Sequence, residues 1–477
     1  MSSSSVNAGT KSKKRFKLRV PHVYVLLIII MIIAAIASYA MPAGEYVRVK
    51  DEATGRMVIN PSTFQEIDRT PVGLFSLALA IPEGMANGVD IIFLIILVCA
   101  SFEIVNATGA FNTGIAYLVK KLAGKESIVI AGVIILFSAI GAFLGWAEGV
   151  LVFIPLGVAL SKAMGYDALL GMGMVVLGTG AGFAGGVTNI YTVGVAQAIA
   201  KLPLFSGLGF RFTAYVMFTV ITIMFLLAYA KKLKKDPRCS PVYDVKLATM
   251  EEISLLEIPT FTARHKCVIA VVIAGFAITV YGTINLGWFL RQISAIFILV
   301  GIAAGFVGGF TPSEMANHFV NGAKAIIFGA ITTGLARSIL VVMEKGHIID
   351  SIIHSLASLV EGLPTIMAAM GMYGIQLVLN FFIPSGSGQA VTTMPIMAPL
   401  ADIVGTTRQV TVLAFQYGDS FTNAFFPTSG VLLAGLAMSG GIPWDRWAKW
   451  SWKLMLAWIV SAGVFVTIAH FIKLGPF

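Results

Sequence analysis

The chain has 477 residues, 57% of them hydrophobic and only 12% charged. A soluble domain carries roughly 25% charged residues, so this composition excludes a water-soluble globular protein and indicates an all-α polytopic membrane protein. The net charge of +10 does not indicate nucleic acid. Much of the excess lies in two runs, Lys11, Lys13, Lys14, Arg15, Lys17, Arg19 and Lys231, Lys232, Lys234, Lys235, Arg238, both beside apolar stretches, where cytoplasmic loops collect cations.

Taken in order, residues 1–20 read as a polar, basic cytoplasmic tail. The apolar run after it is too long for a signal-peptide core, so it is expected to stay as the first span, Val23 to Met41, closed by Pro42. Glu45 to Thr70 reads as a polar loop with turns at Thr54-Gly55 and Asn60-Pro61. Ile91 to Val105 is an apolar run interrupted by Glu103, Ala110 to Leu122 an interfacial amphipathic helix, and Ile128 to Leu144 a span. Gly145 to Pro203 is irregular, and Val216 to Ala230 crosses again. Residues 231–266 form the only long charged interior loop. Beyond it, Val268 to Ile284, Ile293 to Phe310 and Ala325 to Met343 (interrupted by Arg337) read as spans. Ile348 to Leu359 is amphipathic, Ile366 to Phe382 spans, and Lys449 to Phe471 is the last span, entered through four tryptophans. Apolar length suffices for about ten to twelve spans of roughly 20 residues. With the N-terminus inside, this count leaves the Lys231–Lys235 run outside. One short element must therefore cross, either Ala110–Leu122 or one arm of the polar segments below.

An internal repeat organises the chain. Shifted by 240 residues, Phe143–Pro203 overlays Ile383–Pro443 without a gap: Pro155 meets Pro395, Gly165 meets Gly405, Gly178 meets Gly418, Thr188 meets Thr428 and Pro203 meets Pro443. Two such halves, residues 21–230 and 267–477, suggest a transporter with duplicated, inverted topology. In the second half, Ala390 to Val404 would cover only about 22 Å as a helix, short of the roughly 30 Å of hydrocarbon. Each half is therefore expected to hold a re-entrant helical hairpin, tipped near Gly145–Gly149 and Pro384–Gln389. A discontinuous helix follows, broken near Gly185–Asn189 and Phe426–Ser429. Half-helix N-termini at such breaks favour anions, and their unwound carbonyls can hold a cation.

The candidate binding residues are Glu148, Thr188 and Asn189 in the first half. In the second they are Ser385, Gly386, Ser387, Gly388, Gln389, Asp419, Thr428 and Ser429, with Arg337 as the nearby cation. A bland reading makes the Ser/Gly cluster a close-packing device, but packing alone requires neither Gln389 nor the prolines. Ionised groups at membrane depth cost about 2.5–3.5 kcal/mol or more unless paired or watered. Glu103 and Arg337 could be such a structural pair. Glu148 and Asp419 have no cation nearby in sequence, so substrate or ion contact is expected of them. Glu83 and Asp90 read as membrane-edge residues, and His470 as interfacial. No metal-spaced His/Cys cluster, phosphate loop or nucleophile motif is present, and Cys99, Cys239 and Cys267 show no paired spacing.

Ser385 to Ser429, with SGSGQA, TMP, APL, RQVTVLAFQ, GD and PTS in order, resembles the YfcC-type branch of the four-carbon dicarboxylate anaerobic carrier family, within the ion transporter superfamily. The resemblance covers nearly the whole chain. It implies paired inverted repeats, elevator-type alternating access and a homodimer in the bacterial inner membrane. The family's tip-and-break motif carries over onto Ser385, Ser387, Gln389, Thr428 and Ser429, and onto Glu148, Thr188 and Asn189; Ile190 stands where relatives often have proline. The branch is associated with exchange of basic amino acids, such as arginine for ornithine.

The expectation is a secondary active amino acid transporter, most concretely a basic amino acid antiporter, that is neither an enzyme nor a nucleic-acid binder and uses no cofactor. Its partners are a small-molecule substrate and lipid, with Na⁺ or H⁺ as a possible coupling ion and a Na⁺ position near Asn189 and Ser385. The alternative is a Na⁺- or H⁺-coupled carrier of dicarboxylates or other small carboxylates. A channel, from a different class, would conduct without counterflow.

Overall fold

The computed structural model describes residues 23–50, 57–110, 113–114, 124–245, 247, 261–286, 288 and 290–475. The basic tail, most of Ala110–Leu122 and much of the central loop lie outside the described residues. The first half has α1 (Val23–Ala40), α2 (Leu74–Asn87), α3 (Val89–Ala107), α4 (Glu126–Ala139), α5 (Ile154–Ala163), α6 (Ala168–Gly185), α7 (Val195–Ile199) and α8 (Leu208–Lys235). A π-helical turn, Ile140–Leu144, extends α4; a 3₁₀ segment, Gly149–Phe153, leads into α5; a second π turn, Ile190–Gly194, leads into α7. The second half has α9 (Ala263–Leu286), α10 (Leu290–Gly308), α11 (Pro312–Lys345), α12 (Ile349–Ser358), α13 (Thr365–Phe382), α14 (Gly386–Val404), α15 (Arg408–Thr422), α16 (Gly430–Met438) and α17 (Trp444–Phe471). Eight helices among the described residues are long and apolar enough to cross a bilayer.

Most spans stand where hydropathy puts them, with four differences. Leu74–Asn87 is helical although Pro82, Glu83 and Gly84 interrupt its apolar run; packing of α2 along α11 overrides that weak local signal. The Glu45–Thr70 stretch contains two small antiparallel pairings, β1 (Ala43–Glu45) with β4 (Gln65–Ile67) and β2 (Arg48–Lys50) with β3 (Met57–Ile59), so the chain is not purely α. Asp350 at the start of α12 holds this patch, accepting from Tyr46 N at 3.0 Å and pairing with Arg48 at 3.0 Å. The Lys231–Lys235 run is no loop but the last turn of α8, where cations suit the negative end of the helix dipole. Finally, α14 begins at Gly386, four residues before the expected Ala390. Its 19 residues span about 28 Å, and the tip shrinks to Ile383–Ser385.

Helix bounds recur at the 240-residue offset. Ala168 and Arg408 both begin helices, Asn189 and Ser429 both cap helix starts, and Gly165 and Gly405 both adopt positive φ, +83° and +76°. Each of those glycines closes the turn before the next helix, a conformation that costs other residues steric strain.

The helices form two packed groups. α2, α3, α10 and α11 pack on one another, with α1 against α11 and α9 against α10. Around α6 and α15 gather α4, α5, α8, α13, α14 and α17. Within the second group the halves interlock. α14 of the second half packs on the Ile190–Gly194 turn and α7 of the first, while α16, which packs chiefly on α11 and so bridges the two groups, also touches the 3₁₀ segment, α5 and α6. Val193, Ala196, Ala390, Met394, Val412 and Phe415 make one of these shared cores.

Candidate binding cavity between the tips and the breaks

A cavity of about 140 Å³ lies where both tips and both breaks meet. From the first half it is lined by Gly145 to Glu148, Thr179, Phe183, Tyr191 and Thr192; from the second by Pro384 to Ser387, Ser420, Asn423 and Ser429. Each wall follows from local chain chemistry. Gly145 ends the first arm at φ +63°, and a Cβ there would lie 2.1 Å from Asn189 Oδ1, so only glycine lets the tip seat on the break. Asn189 Oδ1 accepts from Tyr191 N at 3.0 Å and Thr192 N at 3.2 Å, capping the helix that restarts there. Thr188 ties the same break to the first arm, its Oγ1 donating to Phe143 O at 2.9 Å and its N–H to Ala142 O at 3.1 Å. Ser385 and Ser429 repeat the capping role, accepting from Gly388 N at 3.4 Å and Leu432 N at 3.3 Å. Three helix starts therefore converge on one cavity, where the first-turn N–H groups of a helix have no intrahelical partner.

Of the residues expected from sequence, Glu148, Ser385, Gly386, Ser387 and Ser429 line the cavity. Thr188, Asn189 and Thr428 stand in the breaks behind it. Asn189 and Thr428 are buried, with Asn189 Nδ2 and Thr428 Oγ1 lacking partners among the described residues. Asp419 is fully buried and does not line it. Its Oδ2 has no partner among the described residues and lies 2.9 Å from where a Cβ on Gly386 would stand, so the second tip covers it. Asn423 Nδ2 reaches its Oδ1 at 3.3 Å, and Asn380 Nδ2 donates to its backbone carbonyl at 2.6 Å.

Gln389 and Gly388 face elsewhere. Gln389 Nε2 donates to the carbonyl of Gln376 at 2.9 Å and to its Oε1 at 2.7 Å. It clamps the two hairpin arms together, because the earlier start of α14 places it within the first helical turn. Arg337 is absent from the lining and lies instead against Gly88, at the α2–α3 junction. Nor do Arg337 and Glu103 pair. Glu103 faces Gly322 on α11, fifteen residues before Arg337, or about 22 Å along the helix. Glu83 pairs with Lys345 and Asp90 with Arg291, both at 2.7 Å.

Several residues of the site escape sequence reading. Ser420, the next residue after Asp419, and Asn423, one turn on, line the cavity. Thr192 Oγ1 and Trp146 Nε1 are buried beside it without partners among the described residues. The least legible is Arg211, fully buried. Its guanidinium donates to Gly186 O at 3.0 Å, Val187 O at 3.3 Å, Phe205 O at 2.9 Å and Ser206 O at 2.5 Å. It satisfies carbonyls freed by the first break, and no ion pair to it is found among the described residues. Nothing in its sequence neighbourhood identifies those acceptors.

The lining thus offers helix N-termini, hydroxyls, an Asn amide, aromatic faces and a single carboxylate, Glu148, with no Lys, Arg or His. Among the described residues no group of three or more His, Cys, Asp or Glu is placed to hold a metal.

Comparison with known proteins agrees with a transporter. Residues 20–471 match the family model for the C4-dicarboxylate anaerobic carrier. A curated relative from Escherichia coli (strain K12), named "Putative basic amino acid antiporter YfcC", is 32% identical over 97% of this chain and 98% of its own length. An uncharacterized protein of Haemophilus influenzae is 28% identical over 92% of this chain and 94% of its own. Two solved structures align over nearly the whole chain at low similarity. MtrF of Neisseria gonorrhoeae, described with a class of antimetabolite efflux pumps, covers 95% of this chain and 96% of its own at TM-score 0.42 and 17% identity. The YdaH transporter of Alcanivorax borkumensis covers 96% and 100% at TM-score 0.40 and 14% identity. At those scores neither carries an argument here. With eight span-length apolar helices, the family match makes the chain a multi-pass membrane protein.

Proposed function

The chain belongs to the C4-dicarboxylate anaerobic carrier family, and we propose that it is a secondary active transporter exchanging basic amino acids of the arginine and ornithine type, without ATP. One observation carries this choice of substrate: among the described residues the cavity's charged lining is Glu148 alone. A dicarboxylate would bring two negative charges beside that carboxylate with no cation to meet them. A basic amino acid sets its α-carboxylate against the capped helix starts at Ser385 and Ser429, which favour an anion. Its guanidinium or ammonium group then faces Glu148.

In this reading residues 21–230 and 267–477 are inverted repeats joined by a cytoplasmic linker, 231–266, in the bacterial inner membrane. The recurring helix bounds support the duplication. The group around α6 and α15 carries the substrate and moves against the group around α3 and α11, an elevator-type cycle in a homodimer. A coupling Na⁺ would sit near Asn189 and Ser385, where Asn189 is buried, although a strict exchanger needs none. The second reading is a Na⁺- or H⁺-coupled carrier of dicarboxylates, favoured by the family model's description and by the three converging helix starts.

The test uses purified protein in liposomes preloaded with arginine, ornithine or succinate, with and without Na⁺ and pH gradients. Labelled arginine should enter faster against internal arginine or ornithine than against none, with no conductance. Glu148→Gln should raise the KM for arginine by about ten-fold or more, the loss of one charge-assisted contact. Uptake of succinate driven by a cation gradient, with no arginine exchange, would favour the second reading. Conductance without counterflow would identify a channel.

A further inference from the structure

Another cavity, about 440 Å³, lies where the first arm of the second hairpin meets the second break and α17. Phe381 and Phe382 at the end of α13, Phe425 and Phe426 at the break, and Met455 and Ile459 of α17 form most of its wall. None of these residues lines the binding cavity. The rings of Phe381 and Phe426 meet edge on, 5.3 Å between centroids, and Tyr373 Oη of α13 donates to Ile459 O at 3.1 Å. Arm, break and α17 are thereby tied to one another around the space.

The lining is apolar throughout. Thr422 is its one polar residue among the described residues. The Thr422 hydroxyl is already used, donating to Gly418 O at 3.1 Å and accepting from Asn380 Nδ2 at 2.6 Å. Water in such a space finds no hydrogen-bond partner, and an ion or zwitterion meets no charge. Depth follows from α17, which starts at Trp444 in the tryptophan cluster of the headgroup layer. Met455 and Ile459 come eleven and fifteen residues later, about 17 and 23 Å along a helix of about 42 Å. The cavity therefore stands near the middle of the hydrocarbon. Val378 of its lining is 51% exposed, and Leu456 and Val460, beside Met455 and Ile459 in α17, are exposed as well. The space is thus continuous with the lipid-facing surface of α13 and α17, and what enters it comes from the bilayer.

We propose that this cavity is a binding site for one acyl chain of a membrane phospholipid. Lipid tails are as apolar as the wall, so the gain comes from packing contacts rather than from leaving water. An apolar cavity of about 150 Å³ takes benzene, and about three times that volume takes a run of methylenes. The chain lies against Phe382, which precedes the second tip, and Phe426, which precedes the cap at Ser429. It braces tip and break in the arrangement where Gly386 covers Asp419. The site is independent of which solute is carried.

The test uses the full chain in phosphatidylcholine vesicles containing a phosphatidylcholine with a diazirine at mid-chain, photolysed and mapped by peptide mass spectrometry. Met455 is only 5% exposed, so label there reports the cavity, whereas Val464 and Ile468, exposed on the same helix, report bulk lipid. Wild-type protein should be labelled at all three positions and at Phe426. Ile459→Trp, which fills the cavity, should lose the label at Met455 and Phe426 and keep it at Val464 and Ile468. Val378→Trp should do the same. Val378 is exposed at the mouth, so a larger side chain there does not threaten folding, and this variant decides the test if Ile459→Trp does not fold. Adding phosphatidylcholine back to delipidated protein should raise Tm by mass action, and Val378→Trp should lose most of that rise. Wild-type protein unlabelled at Met455 and Phe426, label there that a folded variant leaves unchanged, or a Tm rise that Val378→Trp keeps in full overturns the site.

Discussion

At the scale of single residues, the site separates groups that meet substrate from groups that hold its walls. Glu148, Ser385 and Ser429 face the cavity, whereas Gln389 and Arg211 are spent on backbone carbonyls and a neighbouring amide. Arg211 is the clearest case. Each carbonyl it leaves unpaired would cost about 1–3 kcal/mol. Arg211→Met is therefore expected to destabilise the protein by several kcal/mol, read as a large drop in Tm in detergent. Arg211→Lys should recover only part of that, because a point charge cannot reach four acceptors set in a fork. The sequence singles out Glu148 and Asp419, of which the first lines the cavity and the second is buried behind it. It cannot say that the tip at Gly386 covers one of them, since that depends on a contact between segments 33 residues apart.

At the scale of elements, the breaks are legible because their causes are local. Gly186 at φ +53° ends one helix, and Asn189 and Ser429 cap the helices that follow the breaks within the chain's own neighbourhood. The helix starts are less legible: Gly386–Gln389 reads as loop by composition, yet it is held helical by the Ser385 cap and the Gln376 clamp. Close packing around the first hairpin makes a further prediction. A Cβ at Gly182 on α6 would lie 1.7 Å from Ser138 O on α4, a backbone atom that cannot turn aside. Gly182→Ala should therefore cost about 1–3 kcal/mol and lower Tm. Gly132→Ala, also on α4, has open space and should leave Tm unchanged.

At the scale of the whole molecule, the two halves are not independent bodies, because each supplies walls to the other's hairpin and break. The tip at Gly386 sits on Thr192 of the first half, whose Cγ2 lies 2.4 Å from where a Cβ would stand. Cysteines at both positions would bring their Cβ atoms to about the separation a disulfide requires. A Gly386→Cys, Thr192→Cys pair in a Cys99→Ser, Cys239→Ser, Cys267→Ser background should exchange substrate when reduced and stop when oxidised, with activity restored by reductant. Undiminished exchange by the cross-linked form would mean that the tip does not move during transport.

The sequence by itself determined the features written in nearest-neighbour chemistry. Apolar runs of bilayer length and the clustered Gly, Ser and Pro at tips and breaks each act over a few residues. Only the tertiary structure decided which of those polar residues share a cavity. Glu148 and Ser385, 237 residues apart, face one space, while Arg337 and Glu103, which the sequence offers as a structural pair, stand turns away from each other. The physical reason is that a side chain's partner across a membrane bundle depends on helix register and packing. Fifteen residues along one helix move it about 22 Å, and no local pattern records that displacement.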